Sequence, residues 1–281
     1  MAPSDGKSRY LELSDEHRER ADQAWDALER GEADEAACAA EELLEETQGH
    51  PEARFLMGAV LLDLGDPEAA LQEFRSAEDK VSDPELLRFY VASALFELAR
   101  FEEAEEMLRE LRETEEDRGP VEWALAEVLE HLGRFEQAQA CYEAAHRLDP
   151  DAFPRLRRMS REEFDAVVKE AADSLPETLR GHLGEVAVVV EDLPRRELFD
   201  GPAGDPISPS LLGLFVGQNL REESVFDLPG LPRTIFLYQR NLERECRSRE
   251  ELVGEIRQTL YHELGHYLGL EEDELEERGL E

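Results

Sequence analysis

Near the end of the chain, two histidines and a glutamate have the spacing of a metal-dependent hydrolytic site. His262 and His266 are four residues apart, Glu263 directly follows the first, and Gly269 lies three residues after the second. On a helix, positions i and i+4 share a face, so both imidazoles can reach one ion. Zinc accepts neutral imidazole nitrogen, and an adjacent carboxylate can take a proton from an attacking water. The pattern predicts that His262 and His266 bind one Zn²⁺ and that Glu263 is the catalytic base.

The same three residues have an alternative interpretation in which they do no chemistry. The surrounding sequence, YHELGHYLGLEEDELEERGLE, is strongly acidic, and an acidic terminal helix can carry two histidines. Matches to H-E-x-x-H also arise by chance. Glu263 separates the interpretations, because a hydrolase needs a carboxylate beside the first histidine and a structural zinc does not. We favour the catalytic interpretation and keep a structural or degenerate zinc site as the alternative.

A catalytic zinc site needs a third protein ligand besides the two histidines. Fifteen residues follow His266 (281 − 266), which we expect to be too few for a glutamate on a second helix. No histidine follows His266 and every methionine precedes the motif, so the metzincin pattern is not met. Gly269 can end the helix in a left-handed conformation and turn the chain back. The remaining candidates are Glu271, Glu272, Asp273 and Glu274.

The motif and the segments before it resemble the small bacterial zincin-like metallopeptidases, whose motif is H-E-x-x-H-x-x-G-x-x-D. The resemblance extends through VVVEDLP, LLGLFVG, LPRTIFLYQRNL and HELGHYLGL, over roughly residues 160–281. It implies a compact α/β domain with a single zinc ion that hydrolyses peptide bonds. It also implies that an edge strand aligns the substrate backbone, for which residues 211–217 and 233–241 are the two candidates.

The resemblance also implies a role for each matching residue. His262 and His266 are metal ligands, Glu263 is the base, and the third ligand falls at Glu272. The family normally has aspartate at that position, and the aspartate of this chain is one residue later. We favour Glu272 and keep two alternatives, namely Asp273 as the ligand or a degenerate site in which neither residue binds well.

An oxyanion donor besides zinc cannot be chosen from the sequence. Four side chains are chemically able to donate a hydrogen bond to a developing oxyanion: Tyr238, Tyr261, Tyr267 and His182. Each is better explained as a packing residue, so none is assigned.

The elements that must position the motif can be outlined from capping and periodicity. SREE at 160–163 is a capping box that opens a helix. Its apolar positions fall on one face: Phe164, Val167, Val168 and Ala171. From Ser248 the chain is predicted to be helical again. The core face of this last helix is predicted to be Leu252, Ile256, Leu260 and Leu264.

Between these helices the sequence predicts strands. VAVVVEDLP at 186–194 is a β-branched run whose continuous apolarity predicts a strand buried on both faces. Residues 195–210 are rich in Pro, Gly and Asp and predict a surface loop. Residues 211–217 and 233–241 predict two further strands.

The first half of the chain repeats itself. Gly31 and Gly65 are 34 residues apart (65 − 31), and the same step continues to Ala99 and Gly133. Four further columns follow this step: Ala36, Ala70, Ala104 and Ala138; Ala24, Gly58, Ala92 and Ala126; Ala27, Leu61, Leu95 and Leu129; Ala40, Phe74, Leu108 and Tyr142. Each unit has the pattern of helix, turn and helix. The period and the residue choice resemble four tetratricopeptide repeats over residues 15–150, although Ala99 replaces the usual turn glycine.

This second resemblance implies an all-α, right-handed solenoid whose groove binds a protein or peptide. The alternative is a solenoid that serves only as a rigid spacer or a dimerisation surface. The formal charge is 31 − 69 = −38. Such a charge repels phosphate backbones and anionic lipids, so we expect neither nucleic acid nor membrane as partner and favour basic proteins and metal cations.

Length and composition complete the expectations. With 281 residues, 36% charged and 41% hydrophobic, the chain can bury a core and suits two domains, 15–150 and 160–281. No signal-peptide pattern opens the sequence, so we expect a cytoplasmic protein. Three widely separated cysteines provide neither a disulfide framework nor a zinc ribbon, and we expect reduced, mostly buried thiols.

The sequence therefore predicts a solenoid of tetratricopeptide repeats followed by an α/β (α+β) zincin-like domain. The predicted function is a zinc metallopeptidase, of weak or narrow activity, whose repeats recruit a protein substrate or partner. The alternative is a non-catalytic adaptor with a structural or degenerate zinc site.

Overall fold

A computed structural model describes residues 12–77, 80–114, 118–199, 207–218, 220, 224–226 and 232–270. The chain forms two compact units, Met1–Asp149 and Pro150–Glu281. The sequence-based bounds 15–150 and 160–281 stay predictions. Within the described ranges, no helix combines the length and the apolar character that crossing a membrane requires.

The first unit consists of helices arranged in consecutive pairs. They are α1 (Asp15–Glu29), α2 (Ala33–Glu46), α3 (Pro51–Asp63), α4 (Pro67–Ala77), α5 (Pro84–Glu97), α6 (Phe101–Thr114), α7 (Gly119–His131) and α8 (Phe135–Leu148). Proline opens several of them, where the missing N–H costs no helical hydrogen bond. The two helices of each pair contact each other, and so do consecutive pairs. This is the predicted helix–turn–helix repeat.

The turn inside each pair has a left-handed backbone. Gly31, Gly65 and Gly133 have φ angles of 74°, 79° and 72°. Ala99 occupies the same place in the third pair and has φ 54°. A side chain is disfavoured there because Cβ comes too close to the following carbonyl, at a cost of about 1–2 kcal/mol. The repeat therefore imposes one conformation on four turns, including the turn that lacks glycine.

Small residues let the helices of each pair approach closely. The column Ala36, Ala70, Ala104 and Ala138 is at most 1% exposed. Gly58 lies against the ring of Phe74, and a Cβ added at Gly58 would be 2.4 Å from the ring atom Cε1. The predicted columns are thus packing positions, because a larger residue in one of them would push two helices apart.

The second unit combines helices with a small sheet. Its elements are α9 (Arg161–Ser174), α10 (Glu177–Leu183), β1 (Ala187–Glu191), β2 (Gly213–Gln218), β3 (Ser224–Phe226), β4 (Thr234–Tyr238), α11 (Gln239–Glu245) and α12 (Arg249–Leu268), with a 3₁₀ turn at Arg196–Leu198. The strand order is β1-β4-β2-β3. β1 runs parallel to β4, and β2 runs antiparallel to both β4 and β3. The fold is α+β, as the sequence predicted.

Helices α9 and α12 cover one face of this sheet. The core there contains Phe215, Ile235 and Leu237 from the strands, and the predicted stripe of α12 is buried against them. On the other face, Phe236 and Tyr238 pack with Val216 and Leu198. Ser160 and Glu163 form the predicted capping box at the start of α9. The two helices predicted in this unit, α9 and α12, are confirmed, whereas α10 and α11 were not predicted.

A buried polar cluster ties the start of the second unit to α11. The Glu243 carboxylate accepts hydrogen bonds from Arg158 Nη1 at 3.1 Å, the Met159 backbone N–H at 3.0 Å and Gln239 Nε2 at 2.8 Å. The Glu243 side chain is only 1% exposed. Its charge is therefore neutralised by donors from two segments far apart in the chain.

Two strand expectations were wrong in part, and one strand was not predicted. β1 is an edge strand, and Ala187, Val188 and Val189 are exposed, so the strand is not buried on both faces. Central β4 is the strand that is buried throughout. Residues 239–241 begin α11 and do not extend β4. β3 was not predicted, since three residues are too short for a hydrophobic pattern.

The thiols also differ from the expectation. All three cysteines are free, as predicted, but only Cys141 is buried. Cys38 is exposed and Cys246 is half-buried.

Candidate metal centre and active site

The candidate site lies on α12, which holds two histidine side chains together. Ser248 caps the helix by accepting a hydrogen bond from the Glu251 backbone N–H at 3.1 Å. The apolar stripe fixes the rotation of the helix against the sheet, and His262 and His266 then lie on a half-exposed face. Their Nε2 atoms are 2.9 Å apart. The predicted i, i+4 arrangement therefore brings two ring nitrogens to one point.

The helix ends directly after this pair, at a glycine. Gly269 has φ 82°, and its N–H bonds back to the His266 carbonyl at 3.0 Å. The Leu270 N–H bonds to the Gly265 carbonyl at 3.0 Å. These bonds satisfy carbonyls that the last turn would otherwise leave open. The prediction that Gly269 ends the helix in a left-handed conformation is confirmed.

The distance between the two imidazole nitrogens can be compared with the distance between two ligands of one zinc ion. At zinc–nitrogen distances of about 2.0–2.1 Å and tetrahedral angles, two ligand nitrogens are about 3.3 Å apart. The observed Nε2 separation of 2.9 Å is close to this value. To hold the metal the pair would have to open by about 0.4 Å, and neutral imidazole nitrogens are donors that zinc accepts.

The third ligand falls outside the part of the chain that the structure describes. Glu272 and its alternative Asp273 both belong to the undescribed segment 271–281, as do Glu271 and Glu274. Among the described residues there is no group of three or more His, Cys, Asp and Glu side chains that could hold a metal ion. The assignment of the third ligand therefore stays a prediction.

Glu263 is held by the neighbouring strand. The Phe215 backbone N–H of β2 donates to Glu263 Oε2 at 2.6 Å, and Glu263 is only 6% exposed. Gly213 permits this close approach, because a Cβ there would lie 2.5 Å from Thr259 Cγ2 and 3.3 Å from Glu263 Cγ. The contact orients the carboxylate, which the sequence motif alone does not do.

A pocket of about 190 Å³ opens beside this carboxylate. One wall is the start of β2 and the residues before it, and the other is the face of α12. The lining residues are Leu211, Leu212, Gly213, Glu255, Gln258, Thr259, His262 and Glu263. The first strand candidate, 211–217, therefore borders the site. β2 and β4 both lie inside the sheet order, but in the described part of the chain residues 213–216 of β2 pair with β4 alone, whereas β4 pairs with both β1 and β2.

The other side chains considered from the sequence have different surroundings. Tyr267 is fully buried and donates its hydroxyl to Glu185 Oε2 at 2.6 Å. Burial and this hydrogen bond raise the pKa of Tyr267. His182 contacts the Tyr267 ring edge-on, with ring centroids 6.0 Å apart. These contacts give both residues a packing role at the C-terminal end of α12.

Tyr238 is also buried, and its hydroxyl has no hydrogen-bond partner among the described residues. Burial, followed by the charges of Glu191 and Glu263, raises its pKa well above the usual range. Tyr261 is half-buried against the core on α12. None of the four sequence candidates is assigned as an oxyanion donor.

The residues that shape the pocket were not predicted from the sequence. Glu255 and Thr259 precede Glu263 by eight and four residues on α12. That spacing on one helix was a usable signal. The hydrogen bond from Phe215 had no such signal, because it joins residues 48 positions apart.

Comparison with known families agrees with the two units. A family model described as zincin-like metallopeptidase matches residues 183–280. Models described as anaphase-promoting complex, cyclosome, subunit 3 and as tetratricopeptide repeat match residues 29–111 and 95–162. The chain carries tetratricopeptide repeats and a zincin-like metallopeptidase domain. The zincin-like domain includes β1 to β4, the pocket and α12.

Individual proteins and solved structures resemble the chain only weakly. No curated protein matches the chain. A structure of Pseudomonas aeruginosa pilF shows 25% identity and a TM-score of 0.42, covering 48% of this chain and 62% of that chain. MamA from Desulfovibrio magneticus RS-1 shows 19% identity and a TM-score of 0.41, covering 50% and 78%. With TM-scores below 0.5, these likenesses carry no functional argument.

Proposed function

We propose that the chain is a zinc-dependent peptidase whose repeats bind a protein substrate or partner. The observation that carries the proposal is the joint placement of His262, Glu263 and His266. Two ring nitrogens converge 2.9 Å apart, and the carboxylate between them in sequence is oriented by a strand beside a pocket. A structural zinc site would need the histidines but not the oriented carboxylate.

The proposed metal ligands are His262, His266 and Glu272, with Asp273 as the alternative to Glu272. A bound zinc ion supplies Lewis acidity toward a peptide carbonyl and toward an attacking water. Glu263 accepts the proton of that water as its oxygen bonds to the carbonyl carbon. When the C–N bond breaks, Glu263 delivers the proton to the leaving amine nitrogen. The substrate backbone lies along residues 211–213, beside the pocket.

Partner binding is assigned to an aromatic cluster in the repeats. Trp25, Phe55 and Tyr90 come from the first helices of three successive pairs, and their ring centroids are 5.2–5.7 Å apart. Trp25 and Tyr90 are partly exposed. Burial raises the pKa of Tyr90, and the nearby charges of Glu29 and Asp63 raise it further. Aromatic faces next to carboxylates suit a basic segment of the partner.

The first test of the proposed function is metal content. Tag-free protein should carry one equivalent of zinc by elemental mass spectrometry. His262→Ala should lose it, whereas the matched control His146→Ala, on α8, should keep it. Of Glu272→Ala and Asp273→Ala, only the variant that removes the third ligand should lose zinc. Wild-type protein without zinc, even after reconstitution, would rule the proposal out.

The second test separates a peptidase from an adaptor with a structural zinc. Glu263→Gln preserves an acceptor for the Phe215 N–H but cannot take a proton. We expect it to keep zinc and fold normally while cleavage of a peptide library slows by about 10²–10⁴-fold. Equal activity of wild type and Glu263→Gln would show that the chain is not a peptidase of this kind, and zinc with no cleavage at all would favour the adaptor.

A further inference from the structure

The pocket beside Glu263 combines an apolar wall with a second carboxylate, that of Glu255. Leu211 and Leu212 line one side, and Glu255 lies on the opposite side, two helical turns before Glu263 on α12. The pocket's volume of about 190 Å³ is well above the roughly 10–15 Å³ that a single bound water needs. The pocket therefore has room for a side chain of the residue that flanks the scissile bond.

Within the described part of the chain, Glu255 forms no ion pair, and its carboxylate accepts no hydrogen bond. The nearby Thr259 hydroxyl donates to the backbone carbonyl of Glu255 at 2.9 Å and not to its carboxylate. Burial raises the pKa of Glu255, and the neighbouring Glu245 raises it further. A half-buried carboxylate in such surroundings is stabilised when a cation approaches it.

The apolar wall is fixed in place by α11. Asn241 is fully buried, and its Nδ2 donates to the Pro209 carbonyl at 2.9 Å and to the Leu211 carbonyl at 2.7 Å. The Leu212 carbonyl in turn accepts the Tyr238 N–H at 2.9 Å. The wall is therefore positioned before any ligand arrives, which lowers the entropic cost of binding.

We infer that this pocket selects a basic side chain, arginine or lysine, next to the scissile bond of the substrate. Its aliphatic stem packs on Leu211 and Leu212 and its cationic head pairs with Glu255. Arginine is favoured over lysine, because the planar guanidinium can bond both carboxylate oxygens. As a statement about peptide cleavage, the inference rests on the proposed function, but the pocket's preference for a cation can be tested without cleavage.

The matched substrates for the test are peptides with arginine or citrulline beside the scissile bond. Citrulline has nearly the same shape as arginine without its charge. We expect wild type to prefer arginine by about tenfold or more in kcat/KM. Glu255→Gln should reduce this preference to about one, and Glu255→Lys should favour a glutamate-containing peptide. The control Glu250→Gln makes the same charge change on an exposed position of α12 and should keep the preference.

Binding measurements separate this inference from the peptidase proposal. Fluorescence anisotropy of the labelled arginine and citrulline peptides needs no turnover. If nothing is cleaved but wild type binds the arginine peptide about tenfold more tightly, and Glu255→Gln does not, the pocket assignment stands and the peptidase proposal fails. Cleavage or binding that does not distinguish arginine from citrulline, or a preference that survives in Glu255→Gln, would overturn the inference.

Discussion

The first unit, which contains the repeats, and the second unit, which contains the zincin-like domain, bury charged groups in different ways. In the repeats, Arg134 and Tyr142 bond to Glu105 and Glu130, which lie 29 and 12 residues before them. In the second unit, Arg158 and Glu243 are 85 residues apart. The donors in the repeats come from the same or the next helix pair, whereas Glu243 depends on contacts that form only when distant segments meet.

Because of this difference, we expect different kinds of substitution to destabilise the two units. The repeats pack through small residues that recur at a fixed period. Each repeat therefore makes contacts of the same kind as its neighbours, and one substitution disturbs only one of several similar contacts. The second unit depends on contacts between segments far apart in the chain, such as Phe215 to Glu263 and Tyr267 to Glu185, which do not recur at a fixed period. We therefore expect the largest losses of stability from polar substitutions in the second unit and smaller ones from steric substitutions in the repeats.

The largest effect is expected at the Glu243 cluster. Glu243→Ala leaves Arg158 without its buried carboxylate and should lower the free energy of unfolding of the second unit by about 3–5 kcal/mol. Hydrogen exchange of peptides from β4 and α12 should report the loss. The control is Glu170→Ala, which breaks an exposed pair with Arg249 and should change little. If Glu243→Ala lowered stability no more than Glu170→Ala, the second unit would not depend on its buried polar contacts as we expect.

An intermediate effect is expected where two helices of a repeat touch. Gly58→Ala forces a methyl group against the Phe74 ring and should destabilise the first unit by about 1–3 kcal/mol. Both tryptophans, Trp25 and Trp123, belong to this unit, so urea unfolding followed by tryptophan fluorescence reports on it alone. An unchanged midpoint would mean that the columns of small residues do not set the helix spacing.

The same substitution, glycine to alanine, should have the opposite effect on stability in the second unit. Gly254 lies inside α12, and among the described residues a Cβ added there would have no atom within 4 Å apart from the nearby backbone of the helix itself. Gly254→Ala should therefore stabilise the second unit by about 0.5–1 kcal/mol, since alanine loses less backbone entropy in a helix. Slower hydrogen exchange along α12 is the expected observation, and faster exchange would contradict it.

The smallest effect is expected at the turn that lacks glycine. Ala99→Gly relieves a left-handed alanine but adds backbone entropy to the unfolded chain, so the net gain should be only about 0.5 kcal/mol. The reverse change in the preceding repeat, Gly65→Ala, should lower stability by about 1 kcal/mol. Tryptophan fluorescence during urea unfolding measures the change in unfolding free energy for both variants. If both variants were stabilised, or both destabilised, the two turns would not be equivalent.

Most of the first unit and the local part of the candidate site could be predicted from the sequence. A 34-residue period places the same residue types at the same contacts, so helices, turns and even the left-handed Ala99 follow from the register. The pair His262 and His266 follows in the same way, because i, i+4 geometry is a property of one helix. Gly269 as the end of α12 was predictable for the same local reason.

Which strand is buried, and which groups surround Glu263, could not be predicted from the sequence. The run 186–194 is apolar throughout, yet β1 lies at an edge and β4 in the centre, because strand order depends on pairing between distant segments. The same holds for the Phe215 N–H that orients Glu263 and for the wall opposite Glu255. Contacts across 48 or 85 residues have no period and no fixed spacing, so they appear only when the chain is folded.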